Sequence, residues 1–167
     1  MIIGDKKKFA VEIIVDKVEE GYRVFGYMTI WIDNKSLGYL DEYFIFAHTL
    51  PILKNILNHD EHIAYGPLKD LTAEQTVKML EHSMDNEEDS PYFTAKEAEL
   101  SFMCFDLGEP FFGQLIFNIK HKENIIFLWK DPFKEEYHKY AVSRGLFHEV
   151  MNESIEYLNS HLPISKK

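Results

Sequence analysis

Residues 8–16, KFAVEIIVD, place Phe9, Val11, Ile13 and Val15 on one side of an extended chain. A period of two commits a segment to a half-buried strand, because a slip of one residue would turn every apolar side chain into water. The alternation resumes at once. In residues 22–33, YRVFGYMTIWID, Val24, Met28, Ile30 and Ile32 share one face with Gly26, while Phe25, Tyr27 and Trp31 share the other with Arg23 and Thr29. Residues 17–21 read as a turn, residues 34–36 as a hairpin loop, and residues 37–46, LGYLDEYFIF, as a third strand. The chain is therefore expected to open as a three-stranded antiparallel meander with one apolar face to cover.

The period then changes. Thr49 is placed to cap a helix over 50–58, with Pro51 tolerated in its first turn. Gly66-Pro67 interrupts the chain. Thr72 opens T-A-E-Q, a capping box with Gln75, and the helix it starts, about 73–84, carries Ala73, Val77, Leu80 and Met84 on one side. A second β block is expected from ELSFMCFD at 99–106, FFGQLIFNIK at 111–120 and IIFLWK at 125–130. In its middle member Leu115, Phe117 and Ile119 share a face. Asp131-Pro132 is suited to start a short helix. A final helix over 144–161 shows Phe147, Val150, Met151, Ser154, Tyr157 and Leu158 as its apolar stripe.

The resulting order is βββαα twice. FGYMTIWI at 25 and FGQLIFNI at 112 align at Phe, Gly and the last Ile, which admits a worn duplication over 8–84 and 99–161. Strand runs followed by helix runs indicate an α+β class rather than a doubly wound parallel sheet. The two three-stranded meanders are expected to join one antiparallel sheet with helices packed on one face, in a single domain over 1–167.

Charge narrows the partners. The 167 residues carry 28 acids against 18 lysines and arginines, a net charge of −10. Such a surface repels nucleic acid, and with Arg23 and Arg144 as the sole arginines, bidentate phosphate recognition is scarce. A basic partner suits it, as does simple solubility. Cys104, the one cysteine, rules out an internal disulfide and lies in an apolar run, where an inert core thiol is expected. The opening MIIGDKKKF lacks the layout of a signal peptide, and no apolar run reaches the length of a membrane span. A cytoplasmic protein without membrane or nucleic-acid partners is expected.

Catalytic signals are sparse. HDEH at 59–62 is the most enzyme-like cluster: His59 and His62, three apart, would share a helix face and could hold a metal together with Asp60. The simpler reading of the same cluster is a solvated helix end, where imidazole suits the C-terminal dipole. The other histidines are scattered, and HExxH, GxSxG, GxxxxGK[ST] and GxGxxG are all missing. Asp41 and Glu42, adjacent on a strand, would point to opposite faces and could not act as a pair.

Two surface features remain. HSMDNEEDSP at 82–91 holds Asp85, Glu87, Glu88 and Asp89 with no lysine or arginine. Placed after a helix C-terminus, these acids gain nothing from that dipole and must be solvated or paired elsewhere. The mixed face of the second strand, with Tyr27 and Trp31, is either half exposed and available to a partner or covered by a helix as a second core.

The opening MIIGD, then Phe9-Ala10, Phe25-Gly26, Trp31-Ile32 and Leu37-Gly38, resembles the bacterial immunity proteins of polymorphic toxin systems, and most closely immunity protein forty-two. The resemblance implies a small cytoplasmic α+β protein made beside a toxin, which binds the toxin domain and blocks it without enzyme activity or cofactor. Many such toxins are nucleases, which tend to be basic. On that reading Asp85, Glu87, Glu88 and Asp89 steer or meet a basic toxin surface, and Tyr27 and Trp31 supply contact area. The alternatives are a metal-dependent hydrolase using His59, Asp60 and His62, and an oligomeric scaffold or small-ligand sensor using the aromatic face. The oligomeric state stays open.

Overall fold

The computed structural model describes residues 1–19, 23–38, 43–58, 66–103, 111, 114–131 and 133–162. HDEH, residues 39–42, and residues 104–113 apart from Phe111, Cys104 among them, thus lie outside the described residues. The chain divides into two compact units, one of Met1–Asn58, Leu107–Phe112 and Gly145–Lys167, the other of His59–Asp106 and Gly113–Arg144.

In the first unit the alternating segments form an antiparallel sheet of five strands: β1 (Ile2–Asp5), β2 (Phe9–Glu19), β3 (Arg23–Ile32), β4 (Lys35–Leu37) and β5 (Phe44–Ile45). The order is β1-β2-β3-β4, with β5 also on β3. The register sets Phe9, Val11 and Ile13 opposite Ile32, Ile30 and Met28, so the expected apolar face is assembled intact and is almost wholly buried. Between β3 and β4 the chain reverses through Asp33 and Asn34, both left-handed at φ 52° and 59°. That is the primed two-residue turn whose twist matches a hairpin, and short polar side chains tolerate it.

The third expected strand does not run unbroken over 37–46. Its described ends are β4 and β5, and at Gly38 the chain turns with φ 98°, a conformation that favours glycine. A β-carbon there would sit 2.8 Å from Cζ of Phe111.

α1 (Phe46–Asn58) begins four residues before the expected start. Thr49 is therefore inside it and buried, and its Oγ1 donates back to the Ile45 carbonyl at 3.4 Å rather than capping. Phe46, Leu50, Leu53 and Ile56 recur at helical spacing and seal the helix to the core. α4 (Arg144–His161) matches the expected span and buries Phe147, Val150, Met151, Ser154, Ile155 and Leu158. The Phe147 ring lies 5.2 Å from Phe9, so α4 covers the same face of the sheet as α1.

The second unit contains a short 3-10 turn at Gly66–Leu68, α2 (Ala73–Asn86), α3 (Ala95–Met103), and three strands in the order β6 (Ile116–His121), β7 (Asn124–Lys130), β8 (Tyr137–Ser143). The Thr72–Gln75 capping box forms in both directions. Phe117 and Ile119 of β6, opposite Leu128 and Ile126 of β7, pack with Val77 and Leu80 of α2, Ala98 of α3, Leu68 and Phe93. β6 and β7 are buried on both faces, which is why IIFLWK reads as a continuous apolar run.

Three expectations are corrected here. The two β blocks do not merge: the described strands make one five-stranded and one three-stranded sheet, each antiparallel. ELSFM is helix, not strand. Thr94 and Glu97 form a capping box, with Glu97 N–H donating to Thr94 Oγ1 at 3.2 Å and Thr94 N–H to Glu97 Oε2 at 2.7 Å. Asp131 starts a turn instead of a helix: its Oδ1 accepts the N–H groups of Phe133 and Lys134 at 2.9 and 3.1 Å, and the chain continues into β8. The second block therefore runs α3, β6, β7, β8, α4, not βββαα. The α+β class and its antiparallel pairing hold.

Candidate partner-binding surfaces

The outer face of the five-stranded sheet is built by the same register that builds its core. Ile2 pairs with Glu12, Glu12 with Thr29, Ile14 with Tyr27, and Ala10 with Trp31, so these side chains project away from α1 and α4. Ile2 is 50% exposed and Ile14 44% exposed, while Tyr27 and Trp31 are half-buried. Tyr43, 47% exposed, brings its ring to 4.6 Å from that of Tyr27 and donates its hydroxyl to Asp16. That carboxylate acceptor holds the phenol proton in place and raises the ionisation of Tyr43 above the usual tyrosine range. The face is thus exposed in part: Ile2, Ile14 and Tyr43 reach solvent, Tyr27 and Trp31 do so partly, and Ala10 and Thr29 are fully buried.

Trp31 is pinned within it. Its Nε1 donates to Glu12 Oε2 at 2.8 Å, the Lys6 ammonium reaches the same oxygen at 2.8 Å, and Lys6 Nζ stands 3.8 Å over the indole centroid. The Lys6 hydrogen bond, aided by Trp31, lowers the Glu12 pKa against the opposing effect of burial. Thr29 is fully buried, and its Oγ1 has no hydrogen-bond partner among the described residues. Sequence reading singled out Tyr27 and Trp31. It missed Ile2, Ile14 and Tyr43, whose membership depends on strand pairings that periodicity alone does not give.

The acidic run lies in the second unit, as the link between α2 and α3. Asp85 is in the last turn of α2. Glu87 is its left-handed C-cap at φ 54°, with its N–H on the Ser83 carbonyl. Glu88 Oε2 is 3.6 Å from His82 Nε2, both side chains being well exposed. Asp89 Oδ1 accepts the Ala95 N–H at 2.9 Å, at the first turn of α3. The run therefore meets a helix N-terminus, where negative charge is favoured, a compensation hidden while 99–106 read as strand.

His59, Asp60 and His62 lie outside the described residues, so the hydrolase alternative finds no geometry here. Among the described residues Asp131, Glu136 and His138 bring one potential metal-ligating atom each to within 4.8 Å of one another. Each is already engaged in the protein. Asp131 holds the turn, His138 stands 3.9 Å from Glu136 Oε2, and its ring lies 5.0 Å from that of Trp129. No helix among the described residues is long and apolar enough to cross a membrane.

No curated protein and no solved structure gives a significant match to the chain. The family model described as immunity protein 42 matches residues 1–157 of the 167, including both sheets and all but the end of the last helix. The chain belongs to the immunity protein 42 family.

Proposed function

We propose that the chain neutralises a bacterial toxin by binding it, with no chemistry of its own and no cofactor, in the cytoplasm of the cell that makes both. The family match over residues 1–157 carries this reading. The net charge of −10 supports a basic toxin domain as the partner, because long-range attraction speeds the encounter of oppositely charged surfaces.

Two surfaces are suited to the contact, one in each unit. The outer sheet face offers Tyr27 and Trp31 with Ile2, Ile14 and Tyr43, the kind of half-exposed aromatic area that supplies interface energy. The link between α2 and α3 offers Asp85, Glu87, Glu88 and Asp89, all exposed. Rim charges of this type raise the association rate more than they slow dissociation.

Co-expression with the protein encoded by the adjacent reading frame tests the proposal. Cells survive the toxin when this chain is present, the two proteins elute together on sizing, and association slows as salt is added. Death of the cells, with no complex on the column, removes the reading.

A further inference from the structure

We infer that the toxin docks by adding an extended, basic strand to the outer edge of β2 between Val15 and Glu19. This rests on the neutralisation reading above and names the contact within it.

β2 is longer than the strand that flanks it. β1 pairs with β2 only from Phe9 to Glu12, and Met1 closes the ladder at Ile13, whose N–H donates to the Met1 carbonyl at 2.8 Å. β2 continues to Glu19, and along that further stretch no described strand lies on the β1 side. Backbone direction alternates in an antiparallel ladder. Ile13 bonds outward to Met1, so Ile14 faces β3 and Val15 faces out. The irregularity between Val15 and Lys17 shifts the phase by one residue, which makes Val18 the next to face out.

Among the described residues no strand meets the outward N–H and C=O groups of Val15 and Val18, and such an open edge is a template for another strand. The side chains around this one are also apolar and exposed, Ile14 at 44% and Val18 at 60%. An added strand would find hydrogen bonds from the edge and apolar contact on either side of it, the two ingredients of recognition by strand addition.

Charge selects the occupant. Residues 12–20, EIIVDKVEE, hold four acids and one lysine. A second copy laid antiparallel would set acidic segment against acidic segment, and like charges across a ladder are unfavourable. The bulge and the adjacent Asp16 and Lys17 further oppose indiscriminate pairing. A basic segment of the toxin escapes the like-charge objection and is attracted by the acids of this segment, while the bulge keeps its pairing short.

Hydrogen exchange on the purified chain, alone and mixed with the protein of the adjacent reading frame, tests the contact. The amides of Val15 and Val18 should exchange at least about tenfold more slowly in the complex. Val15→Pro deletes an outward donor that the β2–β3 ladder does not use, and Val18→Lys adds a like charge at an exposed position without touching the core. Each should bind at least about tenfold more weakly, as expected for loss of one or two hydrogen bonds or an added repulsion. A wild-type complex in which both amides exchange as in the free chain, and which Val18→Lys leaves equally tight, overturns the inference while the neutralisation reading stands. A chain that dimerises alone with these amides protected overturns the choice of occupant. Failure of the wild-type chain to form any complex overturns the neutralisation reading, and this inference with it.

Discussion

Trp31 donates its indole N–H to the carboxylate of Glu12 at 2.8 Å across two antiparallel strands. Lys6 completes the arrangement from the turn after β1, bonding the same oxygen and covering the ring. One carboxylate thus fixes both the most aromatic residue of the outer face and the turn beside it. Glu12→Gln keeps an acceptor for the indole but loses the charge that Lys6 bonds. A loss of about 1 kcal/mol in unfolding free energy is expected, with the urea midpoint falling at an unchanged slope.

The same contact sets a pH response. The folded-state pKa of Glu12 is lowered, so its contribution is complete above the ordinary glutamate value of about 4.3. It shrinks as the pH falls below that value and is gone once the pH has passed below the folded pKa. The stability gap between wild type and Glu12→Gln should accordingly be the same at pH 8 and pH 6 and narrow in acid. Paired denaturation curves measure it, and a gap that widens in acid would refute the assignment.

Gly26 is the most closely packed of the described glycines. A β-carbon at this position would lie 1.9 Å from the Ile14 carbonyl oxygen and 2.8 Å from Cε2 of Phe46. One obstacle is backbone and the other a buried ring of α1, so neither can give way cheaply. Gly26→Ala should cost about 3 kcal/mol or more, read as a lowered melting temperature or as insoluble expression. Gly66→Ala, where nothing stands within 4 Å, provides the contrast and should remain close to wild type.

Thr29 carries a hydroxyl that finds no hydrogen-bond partner among the described residues. Its Oγ1 is buried without a partner beneath the outer face. Val has the same branched shape and no polar atom, so Thr29→Val should leave stability unchanged or raise it by about 1 kcal/mol. Thermal unfolding decides this. A clear loss would mean that the hydroxyl is satisfied in solution, for instance by a trapped water.

These positions also show where the sequence was informative. The core of the first sheet was readable because Val11, Ile13, Met28 and Ile30 alternate strictly and one face is dry. The helices after Thr72 and at 144–161 were readable from a capping box and a stripe. β8 was not, because YHKYAVS buries only Val142 and shows no period. α3 was not, because the six apolar or small residues at 100–105 suit a buried strand as well as a short helix, and only the Thr94–Glu97 box decides for helix. The candidate site depends on the same helix, since the acids at 85–89 have a helix N-terminus on one side only if α3 exists.

The acidic run can therefore be divided by experiment. Asp89 is committed to the Ala95 N–H at the start of α3, whereas Glu88 faces solvent opposite His82. Asp89→Ala should lose about 0.5–1 kcal/mol of stability, as helix-start contacts do, and Asp89→Asn should recover most of that. Glu88→Lys should leave the melting temperature where it is but slow association with a basic toxin, an effect that fades at high salt. Stopped-flow binding at two ionic strengths, read beside thermal unfolding, separates the two behaviours. Equal association rates for Glu88→Lys and wild type at low salt would restrict the run to its part in joining α2 to α3.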